Sequence, residues 1–159
     1  MTEVHSTYPF SVRWLEGRVG LASAPDVSPD IEVAPPPQFG GPGGRWTPEH
    51  LFVGAATTCW LTTFLAYAER ARLEVVAVEA AGEAIVERGD DGRVSIPRLL
   101  LRPKVTVRSE EDRAPALKWM LKAEETCLIA RAMRAVVELE PEVLVATEVL
   151  VTSAGDERG

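Results

Sequence analysis

The pattern of hydrophobic and polar positions is clearest between residues 45 and 72. Thr47 suits a helix N-cap, because its hydroxyl accepts a hydrogen bond from a free backbone N–H, and Pro48 suits the first turn, where a missing donor costs nothing. Glu49 follows where the positive end of the helix dipole favours a carboxylate. Small and apolar residues then recur at steps of three and four, which predicts one long helix with a buried face. The residues predicted on that face are Phe52, Ala55, Ala56, Cys59, Thr63 and Ala66.

Strand patterns lie on both sides of this helix. Before it, short strands are predicted at residues 8–15, 18–24 and 31–34, with a tight turn at Glu16-Gly17. After it, residues 73–87 are predicted as a strand, and residues 89–92 as a hairpin turn. The clearest period of two follows in residues 94–108, where Pro97 and Pro103 indicate an edge or bulged strand. Its predicted inner residues are Leu99, Leu101, Val105 and Val107, and its outer residues are Arg98, Arg102, Lys104 and Arg108.

The last part of the chain is predicted to add two helices and a strand. Residues 110–125 form the first helix, with Leu117, Met120 and Leu121 as its apolar stripe. Thr126 is the expected cap of a short helix over residues 127–137, and residues 143–152 form a β-branched strand. The order strands, helix, strands, helices, strand predicts an α+β fold with antiparallel sheet.

The domain organisation follows from length and loop composition. Residues 35–44 are rich in Pro and Gly and predict an ordered loop over a site, because residues 1–34 are too few to stand as a domain. One domain is expected over residues 1–159, with frayed tails at 1–7 and 153–159.

Net charge and composition exclude several classes of partner and location. The chain has 159 residues and a formal net charge of −7, which disfavours nucleic acid or anionic lipid as the main partner. No secretory signal and no uninterrupted membrane span are apparent, so a cytoplasmic location and no membrane partner are expected. In that reducing compartment a pair of cysteines is expected to form a transient, catalytic bridge if it forms one at all.

Few residues of the chain are of a type and spacing that could bind a metal or act as a nucleophile. His5, His50 and two cysteines 68 positions apart have no metal-ligand spacing, so no metal site is predicted, and no phosphate-binding loop or nucleophile elbow is present. Cys59 and Cys127 remain, and each is either a small buried hydrophobe or a redox residue. A helix N-terminus at residue 127 would lower the pKa of Cys127, whereas Cys59 lies mid-helix and needs a cation nearby to form a thiolate.

An arginine held by a carboxylate would supply that cation, and Glu49 is the carboxylate expected to do so. Glu49 and Cys59 are separated by ten residues, about 15 Å along one straight helix. Either the helix breaks near Gly54, or Glu49 reaches the cysteine of a second chain. The second alternative is favoured, and it predicts a symmetric homodimer.

Three segments resemble the OsmC/Ohr family of thiol-dependent hydroperoxide reductases. They are WTPEHL at residues 46–51, AATTC at residues 55–59 and AEETC at residues 123–127, and the likeness extends over about residues 8–152. The second cysteine of the family is often followed by proline, whereas this chain has Leu128. The resemblance implies an intertwined homodimer in which antiparallel β-sheets wrap long central helices and two sites lie at the interface.

The resemblance also implies residue roles. Cys59 corresponds to the reactive thiol, Cys127 to the resolving thiol, and Glu49 to the catalytic carboxylate. Gly17-Arg18 resembles the Gly-Arg of the organic-hydroperoxide branch, so Arg18 is the expected catalytic arginine and Arg45 the reserve. The expected lining of an apolar substrate site is Phe39, Phe52, Trp60 and Met120.

The resulting prediction is a cysteine peroxidase that reduces organic hydroperoxides and, more weakly, hydrogen peroxide. No cofactor is expected to be bound, and an external dithiol, lipoyl-type in the family, reopens the Cys59–Cys127 disulfide. Two alternatives stay open. One is a non-catalytic dimer that binds a small apolar ligand in a pocket lined by the cysteines, and the other is a structural dimer with inert thiols.

Overall fold

The computed structural model describes Glu3 and residues 5–146, and within them it confirms a mixed α+β fold. The chain divides into two compact units, residues 1–51 and residues 52–159. The expectation of a single domain over residues 1–159 stays a prediction, and the tail predicted at 153–159 lies outside the described residues.

The first unit contains a three-stranded antiparallel meander. Strands β1 (Ser11–Glu16), β2 (Val19–Ala24) and β3 (Val27–Val33) pair in chain order. The turn after β1 is confirmed, and Gly17 takes the positive φ of 49° that such a turn favours. The third strand begins four residues earlier than predicted, because a tight turn at Asp26 (φ 60°) returns the chain directly from β2 into β3.

The Pro/Gly segment after β3 is an ordered loop. It contains one 3₁₀ turn, Pro37–Phe39. The backbone N–H groups of Phe39 and Gly41 both donate to the carbonyl of Pro36, at 2.9 and 3.2 Å. A Cβ on Gly41 would lie 1.6 Å from the carbonyl oxygen of Pro35, so this crossing requires glycine.

Helix α1 (Pro48–Arg70) begins at the predicted cap and ends two residues before the predicted end. The Thr47 hydroxyl accepts from the N–H of His50 at 3.2 Å, which confirms the N-cap. The helix is continuous through Gly54, so the break considered from the sequence does not occur. By length and composition it is also apolar enough to cross a membrane, a property it shares with core helices of globular proteins.

The buried face of α1 in the second unit differs from the prediction. Ala56, Trp60, Phe64 and Ala68 are the buried residues, a stripe at steps of four. Cys59 is half-buried beside this stripe, and Ala66 is exposed. Ala56 is buried as predicted, but after it the observed face is turned by about one residue, roughly 100°, from the expected one.

The second unit is built on a mixed sheet. Strands β4 (Val75–Arg88) and β5 (Val94–Val107) are antiparallel, whereas β6 (Val136–Leu139) and β7 (Glu142–Val145) both pair with β5 in parallel. The sheet is thus not purely antiparallel. The alternation along β5 is confirmed, since the buried residues include Leu99, Leu101, Val105 and Val107.

Strand β5 lies in the middle of its sheet, so the prediction of an edge strand is wrong. Pro97 is accommodated at the irregularity where the pairing with β4 shifts register between Ile85 and Glu87, as a bulge would allow. Pro103 falls between the part of β5 paired with β6, which ends at Leu101, and the part paired with β7, which begins at Lys104.

The helices after β5 are shorter than predicted. A 3₁₀ turn at Glu110–Asp112 leads into α2 (Arg113–Thr126), and α3 covers only Leu128–Ala132. The buried residues of α2 are Ala116, Met120 and Ala123. Leu117 and Leu121 of the predicted stripe are exposed. Of the residues expected to complete the last helix, Val136 and Val137 instead enter β6. The part of the final predicted strand after residue 146 lies outside the described residues.

Candidate redox site

The two cysteines are held by helices α1 and α2, which two side-chain hydrogen bonds connect. The indole N–H of Trp60, the residue after Cys59, donates to the carbonyl of Met120 at 3.1 Å. The hydroxyls of Tyr67 and Thr126 lie 2.9 Å apart, and Thr126 directly precedes Cys127. Each cysteine is therefore adjacent in sequence to a residue that ties the two helices together.

Cys127 lies at the junction between α2 and α3. Its backbone leaves the helical conformation, with φ −57° and ψ 117°, and its Sγ accepts from the N–H of Ala130 at 3.4 Å. Cys127 is thus itself the N-cap of α3. The prediction of Thr126 as the cap is wrong, because Thr126 is the last residue of α2 and its hydroxyl donates to the carbonyl of Lys122.

The thiols of Cys59 and Cys127 are both free and hydrogen-bond each other. Burial is the largest influence on Cys59 and raises the pKa of its thiol, but four hydrogen bonds outweigh it. They come from the Cys127 thiol, the Ile129 backbone, the Thr63 hydroxyl and the Leu128 backbone. Together they lower the pKa of Cys59 below its usual 9.0.

The same contact acts in the opposite direction on Cys127. Burial and the hydrogen bond given to Cys59 raise the pKa of Cys127 to about 11. The N-terminus of α3 acts in the expected direction, since the backbone N–H groups of Ala130 and Ile129 lower the pKa of Cys127, but burial and the contact with Cys59 outweigh them. Of the two thiols, Cys59 is therefore the one that more readily forms a thiolate, while Cys127 keeps its proton.

The charged residues predicted for the site lie in the first unit. Oxygen Oε2 of Glu49 is buried and has no hydrogen-bond partner among the described residues. Arg18 is exposed, and its Nη1 donates to the carbonyl of Phe39. Arg45 forms an ion pair with Glu32, so its guanidinium already has a carboxylate partner. Within residues 5–146 no such ion pair is present at Arg18.

The residues expected to line a substrate site have different environments. Phe39 is 40% exposed, and Phe52 packs against Ala56 and its neighbours. Trp60 and Met120 are 1% and 0% exposed and belong to the core cluster of the second unit. Both therefore pack the core, and their contact with a substrate stays a prediction.

An apolar cavity of about 460 Å³ lies in the first unit and was not expected from the sequence. The sequence signal that could have indicated it is the alternation along β1. The apolar residues Val12 and Trp14 stand at alternate positions and so project from the same face of the strand. Its lining is Val12, Trp14, Arg18, Val19, Gly20, Val33, Ala34, Pro35 and Pro48. Arg18 is the charged residue of this lining, so the cavity can hold an apolar group beside a guanidinium. In the described part of the chain, no group of three or more His, Cys, Asp or Glu side chains is placed to hold a metal ion.

Comparison with solved structures shows the same fold. An OsmC-like protein of unknown function from Vibrio cholerae superposes with a TM-score of 0.77 over 86% of this chain and 99% of that one, at 22% identity. An organic hydroperoxide resistance protein from Elizabethkingia anophelis gives 0.70 over 91% and 99%, at 17% identity. The organic hydroperoxide resistance protein OhrB of Bacillus subtilis gives 0.62 over 88% and 99%, at 22% identity.

Sequence comparison identifies the family. The uncharacterized protein YmaD of Bacillus subtilis is 34% identical over 127 residues, which cover 78% of this chain and 83% of YmaD. The profile of the OsmC-like protein family matches residues 41–142, a range that includes Glu49 and both cysteines. The chain belongs to the OsmC-like family, as its motifs predicted.

Proposed function

We propose that the protein is a cysteine peroxidase that reduces organic hydroperoxides, with Cys59 as the reactive residue and Cys127 as the resolving residue. The observation that carries the proposal is the hydrogen-bonded pair of free thiols whose pKa values shift in opposite directions. A peroxidase needs one thiolate to attack oxygen and one thiol to close the disulfide. The names of two of the structural relatives, organic hydroperoxide resistance proteins, agree with this function.

In the first step the Cys59 thiolate attacks the outer oxygen of the hydroperoxide. An S–O bond forms, the O–O bond breaks, and the alkoxide leaves and takes up a proton to become the alcohol. Cys59 is oxidised to a sulfenic acid while the peroxide is reduced. Attack at neutral pH requires the thiolate, which the hydrogen bonds to Cys59 favour.

In the second step the Cys127 sulfur attacks the sulfenic acid of Cys59. An S–S bond forms, the S–O bond of Cys59 breaks, and the hydroxyl group leaves as water with the thiol proton of Cys127. The hydrogen bond between the two side chains provides the proximity that this step needs. An external dithiol, of the lipoyl type that the resemblance implies, then reduces the disulfide by thiol–disulfide exchange.

Arg18 and Glu49 complete the proposed site. The Arg18 guanidinium would stabilise the thiolate and the developing alkoxide, and Glu49 would orient it. The unpartnered buried oxygen of Glu49 supports this role, because a buried carboxylate oxygen without a donor is costly unless a cation reaches it. The guanidinium of Arg45 is the reserve, and its pairing with Glu32 favours Arg18.

The active unit would be a symmetric homodimer in which Glu49 serves the Cys59 of a second copy. Two features of helix α1 support the dimer. The helix is uninterrupted, and much of its apolar surface is unburied, since only 22% of its most apolar stretch of 18 residues is buried within the chain. Large side chains exposed in the first unit add apolar surface of the kind that an interface covers. Examples are Tyr8, Phe10, Trp14 and Trp46, which are 88%, 59%, 72% and 54% exposed. A cytoplasmic location would supply the reductant, and sedimentation equilibrium tests the dimer.

The decisive test is consumption of an alkyl hydroperoxide by the wild type and by single cysteine variants, with dihydrolipoamide as reductant. Cys59→Ser is expected to abolish the reaction. Cys127→Ser is expected to allow one turnover and to leave Cys59 as a sulfenic acid, which dimedone labels. Loss of both free thiols per chain on adding hydroperoxide, with one disulfide seen by mass spectrometry, would agree. A Cys59→Ser variant as active as the wild type would overturn the proposal.

The alternative function, binding of a small apolar ligand without catalysis, is favoured by one observation, the apolar cavity of the first unit. Neither cysteine contributes to the lining of that cavity, so this ligand site would not be the one expected around the thiols. Thiol titration separates the two functions. A carrier would keep two titratable thiols after exposure to hydroperoxide, and the peroxidase would lose both.

A further inference from the structure

The first turn of α1 carries a reciprocal hydrogen-bond pair that no step above uses. The Thr47 hydroxyl accepts from the backbone N–H of His50 at 3.2 Å, and the backbone N–H of Thr47 donates to Nδ1 of His50 at 3.3 Å. This is the geometry of a capping box, with histidine in the position usually held by Glu or Gln. Thr47 is 5% exposed, so a broken box would leave its N–H buried without a partner.

The box determines which ring nitrogen of His50 accepts a hydrogen bond. A backbone N–H can only donate, so Nδ1 must accept from Thr47 and cannot itself carry a proton. The Thr47 hydroxyl lies 3.0 Å from the same nitrogen, and it can donate there while it accepts from the backbone of His50. The geometry corresponds to the tautomer of His50 that has its proton on Nε2. The indole of Trp46 packs edge-on against the ring, with 6.2 Å between centroids.

Glu49 lies inside this box, between Pro48 and His50, and is the acidic residue of the first turn. Its buried Oε2 has no donor among the described residues. A Glu at position 50 would also close the box, but it would place a second carboxylate beside Glu49 and compete for the same cation. A histidine whose Nδ1 accepts closes the box without adding a second carboxylate.

We propose that His50 is a positioning residue, which fixes the first turn of α1 through the Thr47 capping box and so holds the carboxylate of Glu49 ready for its arginine. The proposal rests on the peroxidase function only for its catalytic consequence. The tautomer of His50 and the environment of Glu49 can be measured whether or not the protein reduces peroxides.

The first measurement is the ¹⁵N spectrum of the two imidazoles in the full-length protein, with His5→Ala as the matched control that leaves His50 alone. A proton on Nε2 and an accepting Nδ1 are expected. The Glu49 side-chain ¹³C carboxyl signal is then followed in His50→Ala and His50→Gln. The Ala variant is expected to shift it, and the Gln variant, whose amide oxygen can accept from Thr47, is expected to restore it.

The second measurement is peroxidase activity. His50→Ala is expected to lower kcat/KM for an alkyl hydroperoxide by about tenfold to a hundredfold, since misplaced catalytic groups lose rates of that order. His50→Gln should recover most of this loss, and His50→Glu should not, because of its added carboxylate. A proton on Nδ1, a Glu49 signal unchanged in His50→Ala, or equal loss in the Ala and Gln variants would overturn the proposal. An inactive wild type with the expected tautomer and Glu49 shift would instead refute only the peroxidase function.

Discussion

Replacement of Trp60 by Phe tests whether this residue holds helices α1 and α2 together or contacts substrate. Trp60 is 1% exposed, and its indole N–H donates to the Met120 carbonyl at 3.1 Å. Its ring stacks on Phe64, with 5.3 Å between centroids and an interplanar angle of 3°. A Phe at this position keeps the stacking and loses the N–H, so the substitution isolates the link between α1 and α2.

The expected loss of stability has two parts. A buried carbonyl left without its donor costs about 1–3 kcal/mol. The smaller ring leaves a void of roughly 40 Å³, which at about 24 cal/mol per Å³ adds about 1 kcal/mol. A total near 3 kcal/mol corresponds to a fall in Tm of about 6–12 °C for a chain of this size.

The assay is urea and thermal unfolding followed by circular dichroism, at one protein concentration because the stability of an oligomer would depend on that concentration. Trp119→Phe is the matched control. Its indole stacks on Tyr67 at 5.1 Å, but its N–H has no hydrogen-bond partner among residues 5–146. The control should lose clearly less stability. If Trp60→Phe instead matches the control in stability and raises only KM for hydroperoxide, Trp60 contacts substrate and the reasoning is refuted.

Three further predictions concern the site and its support. At a pH below the usual thiol pKa of 9.0, iodoacetamide should label one thiol per chain, Cys59, in a native-state mass measurement. Cys127, with its pKa raised to about 11, should stay unlabelled. Equal labelling of both thiols would contradict the assignment. Arg18→Met should abolish peroxidase activity. Arg45→Met should leave activity intact and lower the free energy of unfolding in urea by less than about 1 kcal/mol, because it breaks only a half-exposed ion pair. The reverse result would make Arg45 the catalytic arginine. Gly82→Ala should lower the free energy of unfolding in urea by about 1–3 kcal/mol, because the new Cβ would lie 2.3 Å from Oγ1 of Thr57 on α1. Unchanged stability would mean that the helix moves aside freely.

The parts of the fold that the sequence predicted well are those in which chemistry contrasts sharply along the chain. In β5, the basic residues lie on one face and branched apolar residues on the other, and Leu99 and Leu101 are buried as expected. The N-cap at Thr47 was predictable because hydroxyl, proline and carboxylate stand in their preferred order. The family motifs likewise identify both cysteines from the sequence alone.

The features that were missed have weak or long-range signals. Helix α1 is rich in Ala and Thr, which tolerate either environment, so Trp60 and Phe64 rather than the small residues decided which face is buried. Strand β6 is only four residues long and pairs in parallel with a strand far earlier in the chain, so no local pattern reveals it. The cap of α3 was assigned to Thr126 because sulfur is a weak acceptor that sequence rules do not consider, yet Cys127 takes that position.

The residue after the second cysteine explains one source of the thiol asymmetry and allows it to be removed. The N–H of Leu128 is among the hydrogen-bond donors that lower the pKa of Cys59. Proline, which the family resemblance places at this position, has no such donor. Position 128 begins α3, where proline's φ is favourable, and Cys127 already has the extended ψ of 117° that a residue before proline prefers.

Leu128→Pro should therefore fold like the wild type and raise the pKa of Cys59, because it removes one donor and leaves the sulfurs in place. Leu128→Ala is the control. It keeps the N–H and removes a side chain that is 74% exposed, so the pKa of Cys59 should stay at its wild-type value. The rate of Cys59 alkylation as a function of pH gives both values. If the Pro and Ala variants titrate together, the Leu128 backbone does not stabilise the thiolate, and the lowered pKa must come from Cys127, Ile129 and Thr63 alone.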